Sequence, residues 1–180
     1  MASDGIRFHS NLPDTARARL VERLGPFAEL PTDRKAFADA FKAMDWQPED
    51  IEPCCRYETG ERVRVELARC EGWVVLALCW EDAVTPIHDH DESECGFTVL
   101  SGDLEETRYE CVGDCLARPT LTRLLIPGDT VLSSRDAIHR LGTPRGCTGR
   151  AVSLHAYCPA LDLENMHVFE VPTYAEASRD

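Results

Sequence analysis

Apolar side chains recur at helical spacing between residues 13 and 45 and in short alternating runs from residue 62 onward, so the chain divides into a helical lead and a β body. Pro13-Asp14-Thr15 opens a first helix whose buried face is Ala16, Leu20, Val21 and Leu24, and Gly25-Pro26 ends it. Pro31-Thr32-Asp33 caps a second, with Ala36, Phe37, Ala40, Phe41 and Met44 as its apolar stripe. Trp46 through Pro53 breaks that helix, and its aromatics read as core side chains rather than cofactor contacts. Beyond it, β-type runs separated by Gly, Pro and Asp turns predict strands near 62–69, 73–80, 84–89, 95–101, 103–110, 120–125, 130–133, 137–141, 149–157 and 166–171. Ser101-Gly102-Asp103 and Ile126-Pro127-Gly128-Asp129-Thr130 are turn sequences between such runs, and Gly142 to Gly149, carrying Pro144 and Gly146, predicts an exposed loop. So many short strands at close spacing form a sandwich or a barrel.

A length of 180 residues suits one well-buried core, so a single domain is expected, with residues 1–60 as helical lead and 61–180 as barrel. Fractions of 43% hydrophobic and 28% charged residues are those of a globular protein. No apolar run approaches the roughly 20 residues of a membrane span, so no membrane partner is expected. Met1-Ala2-Ser3-Asp4-Gly5 lacks the basic start and apolar core of a secretory signal, which predicts a cytoplasmic location. The nine cysteines are odd in number and without framework spacing, which fits reduced thiols, several buried as small apolar groups. Cys111 and Cys115 have no second Cys/His pair at finger spacing and do not read as zinc ligands. A net charge of −13 argues against a nucleic-acid partner, whose phosphates need clustered Lys and Arg. A monomer is expected.

The segment Thr85-Pro86-Ile87-His88-Asp89-His90 sets two imidazoles two residues apart in a β-type run, where alternate side chains share a face. Both can point into one cavity, which suits a metal. His139 lies in a further strand-like segment, Ala137-Ile138-His139-Arg140-Leu141, after the Pro-Gly-Asp turn. This order resembles the cupin superfamily, whose barrels carry H-x-H, then a Glu, a Gly and a later His. Counting back from Gly102 by six intervening residues reaches Cys95 where that pattern has its carboxylate, and the adjacent Glu94 alternates to the other face. His88-Asp89-His90, Cys95, Gly102-Asp103-Leu104-Glu105-Glu106, His139-Arg140 and Ser153-Leu154-His155-Ala156-Tyr157 together resemble cysteine dioxygenase and its thiol dioxygenase relatives, from about Arg62 to Asp162.

The resemblance implies a mainly β, cupin (jelly-roll-like) barrel with a short N-terminal helical segment. It also implies Fe(II) held by His88, His90 and His139, a Cys95–Tyr157 thioether cross-link, and a catalytic Tyr157 held through hydrogen bonds by Ser153 and His155. An all-imidazole triad is neutral, leaves iron its full charge and favours an incoming thiolate beside O2. The family's carboxylate-binding arginine falls on Arg64, facing the substrate together with Tyr157. Arg62, two residues earlier, stands where many relatives carry tyrosine and would suit a more acidic thiol. The implied activity is oxidation of L-cysteine to cysteine sulfinate by O2. Arg64 and Cys95 favour cysteine over 3-mercaptopropionate or another small thiol carboxylate, because relatives selecting the propionate tend to carry Gln and Gly there. A non-catalytic cupin that binds a metal or small molecule is the reading of another class, and the Ser153, His155, Tyr157 set argues against it. Asp89 is expected to face away from the metal toward a neighbouring loop, His9 to lie in the N-terminal segment, and His167 to be a satisfied structural residue.

Overall fold

A computed structural model describes residues 5–28, 33–146, 149–161 and 166–172. After β1 (Arg7–Phe8), Ala16, Leu20 and Leu24 recur every fourth residue and form the buried face of α1 (Asp14–Leu24). Pro26 does not stop the chain there. Gly25–Phe27 continues as a single 3-10 turn, closed by the Ala28 N–H on the Gly25 carbonyl at 3.0 Å, because a proline opening a turn has no N–H to lose. Asp33 caps α2 (Arg34–Lys42), its carboxylate accepting the Ala36 N–H at 3.0 Å. Pro31 and Thr32, the rest of the expected cap, lie outside the described residues. Two further 3-10 turns, Pro48–Asp50 and Glu52–Cys54, occupy the segment expected to break α2.

The β body contains β2 (Arg62–Arg69), β3 (Val74–Glu81), β4 (Ile87–His88), β5 (Glu94–Ser101), β6 (Leu104–Gly113), β7 (Leu116–Leu125), β8 (Thr130–Ser133), β9 (Ile138–Gly142), β10 (Arg150–Cys158) and β11 (Val168–Phe169). They form two antiparallel sheets, one in the order β1-β2-β3-β10-β5-β8 and the other in the order β11-β4-β9-β6-β7. Leu104, Leu125 and Leu141 of the second sheet share one core with Leu76, Trp80, Phe97 and Tyr157 of the first, so the two sheets enclose a common interior.

β3 is buried from Val74 through Trp80, a continuous run rather than an alternation, because both its faces are covered. Val75, Ala77 and Cys79 join Leu154 and Ala156 of β10 against the helices, while Val74, Leu76, Leu78 and Trp80 turn into the barrel. Burial of each large side chain in these two cores stabilises by about 1.5–3 kcal/mol. Helix α2 docks on β5 at Gly96, where a Cβ would sit 2.9 Å from Phe41 Cδ1. Among the described residues no helix is long and apolar enough to cross a membrane.

Three boundaries differ from the pattern reading. The β6–β7 hairpin runs longer, pairing Glu110 with Arg118 and Cys111 with Ala117. Its outer part is exposed and shows no apolar alternation, and Pro119 is tolerated because β7 is an edge strand. The run expected at 84–89 shrinks to β4, since Pro86 has no N–H to give to a ladder. At the C-terminal end the run expected at 166–171 shrinks to β11, and β1 is too short to produce a periodicity.

Gly102, at φ +67°, turns β5 into β6, and a Cβ there would run into the Arg150 carbonyl and Ala151 of β10. Gly60, at φ +82°, has open space around it. Left-handed strain costs an alanine about 1–2 kcal/mol at either site, and overpacking adds about 1–3 kcal/mol at the first alone. Urea unfolding should therefore show Gly102→Ala losing about 2–5 kcal/mol and Gly60→Ala about 1–2 kcal/mol. Equal losses would mean that the close approach of Gly102 to β10 is not present in solution.

Candidate metal centre

His88 on β4 lies directly opposite His139 on β9, and His90 follows two residues beyond His88. His88, His90 and His139 are 5%, 1% and 2% exposed, so the cluster is sealed from bulk water. Their ring centroids stand 4.9–5.4 Å apart, and one nitrogen from each ring lies within 4.8 Å of the other two. Among the described residues this is the one group of three or more His, Cys, Asp or Glu placed to hold a metal ion.

The ring orientations fit that role. His88 donates its Nδ1–H to the Pro86 carbonyl at 3.0 Å, and His139 donates its Nδ1–H to Glu106 Oε1 at 3.0 Å. Each Nε2 is thereby left as a lone-pair donor toward the shared centre. His90 Nδ1 is buried with no partner among the described residues. Burial pushes the His88 imidazole down to about 3, helped by the nearby His139, and burial holds His90 well below the ordinary histidine range. His88 and His90 are thus held uncharged, as ligands of a cation must be.

Glu106 belongs to the Gly102–Glu106 motif, and its role is visible only in the folded barrel. It is 0% exposed on β6, between His139 of β9 and Arg123 of β7, which donates its Nε–H at 2.7 Å. Burial pushes this carboxyl up, but the hydrogen bonds from His139 and Arg123 outweigh it and hold the group at about 2. The alternation of β6, with Leu104 inward, was the available signal: it turns Glu106 inward and Glu105 outward.

Beside the triad, Ser153, His155 and Tyr157 of β10 share the interior face. Trp80 donates its indole N–H to Ser153 Oγ at 2.9 Å, Ser153 Oγ meets His155 Nε2 at 2.8 Å, and His155 Nδ1 meets the Tyr157 hydroxyl at 3.3 Å. Phe97 stacks on the His155 ring at 4.8 Å. Burial keeps His155 neutral, well below its ordinary range, and pushes Tyr157 well above its own. When Ser153 donates to Nε2, His155 donates from Nδ1 to the tyrosine oxygen, and the Tyr157 proton is left free to face the cavity. Trp80 and Phe97 carried no such signal in sequence, since a buried aromatic on a strand is usually core.

Cys95 of β5 pairs across the strands with Tyr157, and the two side chains share the barrel core. Burial pushes the Cys95 thiol far up. The Tyr157 ring lies 5.4 Å from His90. Arg62 is half-buried with its guanidinium carbon 5.8 Å from the Trp80 ring centre, whereas Arg64 is exposed and lines a cavity of about 130 Å³ with Glu66, Arg69, Val74, Leu76 and Leu161, none of them a triad residue. Asp89 points away from the triad and accepts from His167 Nδ1 at 2.9 Å and from the His167 and Asp91 backbone N–H groups at 3.1 Å. His167 is therefore a structural partner of the loop before β11.

The sequence profile of the cysteine dioxygenase type I family matches residues 33–170. Among solved structures, a conserved protein with a double-stranded β-helix domain from Klebsiella pneumoniae shares 16% identity at a TM-score of 0.53, over 67% of this chain and 94% of that one. The TT1209 protein of Thermus thermophilus shares 16% identity at a TM-score of 0.51, over 64% of this chain and 99% of that one. These likenesses show the fold, a double-stranded β-helix of the cupin type.

Two outcomes follow from the geometry. Glu106→Gln removes the charge that orients His139, and metal affinity measured by competition titration should fall about 10- to 100-fold; unchanged affinity would leave Glu106 a purely structural residue. For the metal-free protein, the unfolded chain binds protons at His88, His90 and His155 near pH 6.5 while the folded chain does not, so stability is complete above that pH and lost as pH falls below it. Each imidazole contributes up to about 1.4 kcal/mol per pH unit, and a flat urea-midpoint profile from about pH 7.5 to 5 would contradict their burial as neutral groups.

Proposed function

This chain belongs to the cysteine dioxygenase type I family, and on that footing we propose that it is an Fe(II)-dependent thiol dioxygenase that converts L-cysteine to cysteine sulfinate. In the balanced reaction both atoms of O2 are added to the sulfur, which gives up four electrons to them, and the thiol proton leaves with the sulfinic acid. The observation that carries the reading is the convergence of three imidazoles, with no carboxylate among them, beside a Cys95–Tyr157 pair. Bound iron would supply a Lewis-acidic centre where a thiolate and O2 meet, a role suited to a neutral ligand set that leaves the metal its charge.

The chain's own groups divide the remaining work. Arg64, exposed on β2, binds the substrate carboxylate through parallel N–H donors and orients the thiol toward the triad. Tyr157 holds its proton over the cavity, positioned by His155, Ser153 and Trp80 in turn. Phe97, Val99 and Leu141 line the barrel interior and exclude water from the reacting sulfur. Cys95 joins Tyr157 in a thioether in this reading: its S–H and a ring C–H are lost as the C–S bond forms, and O2 takes the two electrons and two protons as H2O2.

Oxygen uptake with cysteine, 3-mercaptopropionate and cysteamine tests the reading. Iron-loaded protein should consume O2 with cysteine and yield the sulfinate, and cysteamine, without a carboxylate, should be poor. Arg64→Ala should raise KM for carboxylate thiols about 10- to 100-fold, the worth of a charge-assisted pair. Undiminished turnover by metal-free protein, or no uptake with any thiol, would remove the proposal.

A further inference from the structure

Strand pairing fixes the direction of both β2 arginines. Directly opposed residues of an antiparallel pair project to the same face, and Arg62 opposes Trp80 while Arg64 opposes Leu78. Trp80 and Leu78 both turn into the barrel, so both guanidiniums belong to the barrel side of the sheet. Arg62 is the deeper one, and its charge acts on His88, His155 and Tyr157. Burial, and after it the charge of Arg64, work against the Arg62 guanidinium. Glu66, the acid next along this face, is taken by Arg69 at 2.7 Å. Among the described residues neither Arg62 nor Arg64 has a carboxylate partner.

Two like charges held two residues apart on one face of β2 without a counter-ion leave an electrostatic cost that an anionic ligand removes. Arginine does not relieve it by losing its proton. The cavity that Arg64 lines also carries Glu66 and Arg69, which pair with each other, Arg62 lies over Trp80, and Glu106 is spent behind His139. Cysteine offers this pair of arginines one carboxylate and one ammonium, the second of the wrong sign for a second guanidinium. We propose that Arg62 is a second carboxylate receptor, so that a small thiol bearing two carboxylates is a better substrate of this site than cysteine. The inference rests on the thiol dioxygenase reading and assigns its substrate class.

The test compares kcat/KM for mercaptosuccinate and cysteine in iron-loaded wild type, Arg62→Gln and Arg62→Lys. Wild type should favour mercaptosuccinate at least about 10-fold, the worth of one added charge-assisted hydrogen bond. Arg62→Gln should erase that preference, and Arg62→Lys, which keeps the charge and guards against misfolding, should restore part of it. Equal losses on both thiols, or no preference in wild type, overturn the proposal. If neither thiol drives oxygen uptake, the dioxygenase reading has failed, and metal-free protein with succinate still decides the receptor. A thermal shift by succinate that Arg62→Gln abolishes supports it; a shift that survives the substitution, or no shift in wild type, overturns it.

Discussion

The two-residue period of strand β10, held between β3 and β5 with a core on each side, is the constraint on which the rest of this molecule depends. Val152, Leu154 and Ala156 are committed to the helical side, so Ser153, His155 and Tyr157 have no choice but the barrel interior. A slip of one residue would exchange the two sets and drive a serine, an imidazole and a phenol into an apolar layer. The helices are thus more than a cover. By supplying Phe37, Phe41, Leu20 and Leu24 for the even-numbered residues of β10 to pack on, they lock the register that presents the polar relay.

Inside the barrel, polar groups are tolerated because nearly every one is answered. Trp80, Ser153, His155 and Tyr157 satisfy one another in series, and Glu106 accepts hydrogen bonds from both His139 and Arg123. Glu106 holds the buried negative charge, yet it stands behind the ligand ring rather than in it. The centre itself is left as three imidazoles with no carboxylate, a ligand set that keeps the field of a bound cation undiminished for anionic partners. The two arginines on the barrel face of β2 follow the same logic, since they too favour negative charge.

Much of this was readable from the chain. Both helices, the body of most strands and the turn at Gly102 followed from periodicity and punctuation, since those signals are local. The hairpin beyond Tyr109 was not, because its pairing is satisfied between two exposed strands that bury no alternating face. His88, His90 and His139 were placed together by spacing and resemblance, and the structure brings them together. Trp80 and Phe97 were invisible as site residues, because nothing in a hydrophobic run distinguishes an aromatic that packs from one that also donates or stacks on a working imidazole.

The amino-acid order alone fixes which residues alternate, where the chain must turn and which side chains have metal-binding chemistry, because each of these depends on near neighbours. Folding in three dimensions settles what lies across from what. It is the docking of β6 between β7 and β9 that sets Glu106 against His139 and Arg123, and the pairing of β2 with β3 that sends Arg62 against Trp80. Those partners are far apart in sequence, and only the balance between burial and hydrogen bonding in the closed barrel selects them.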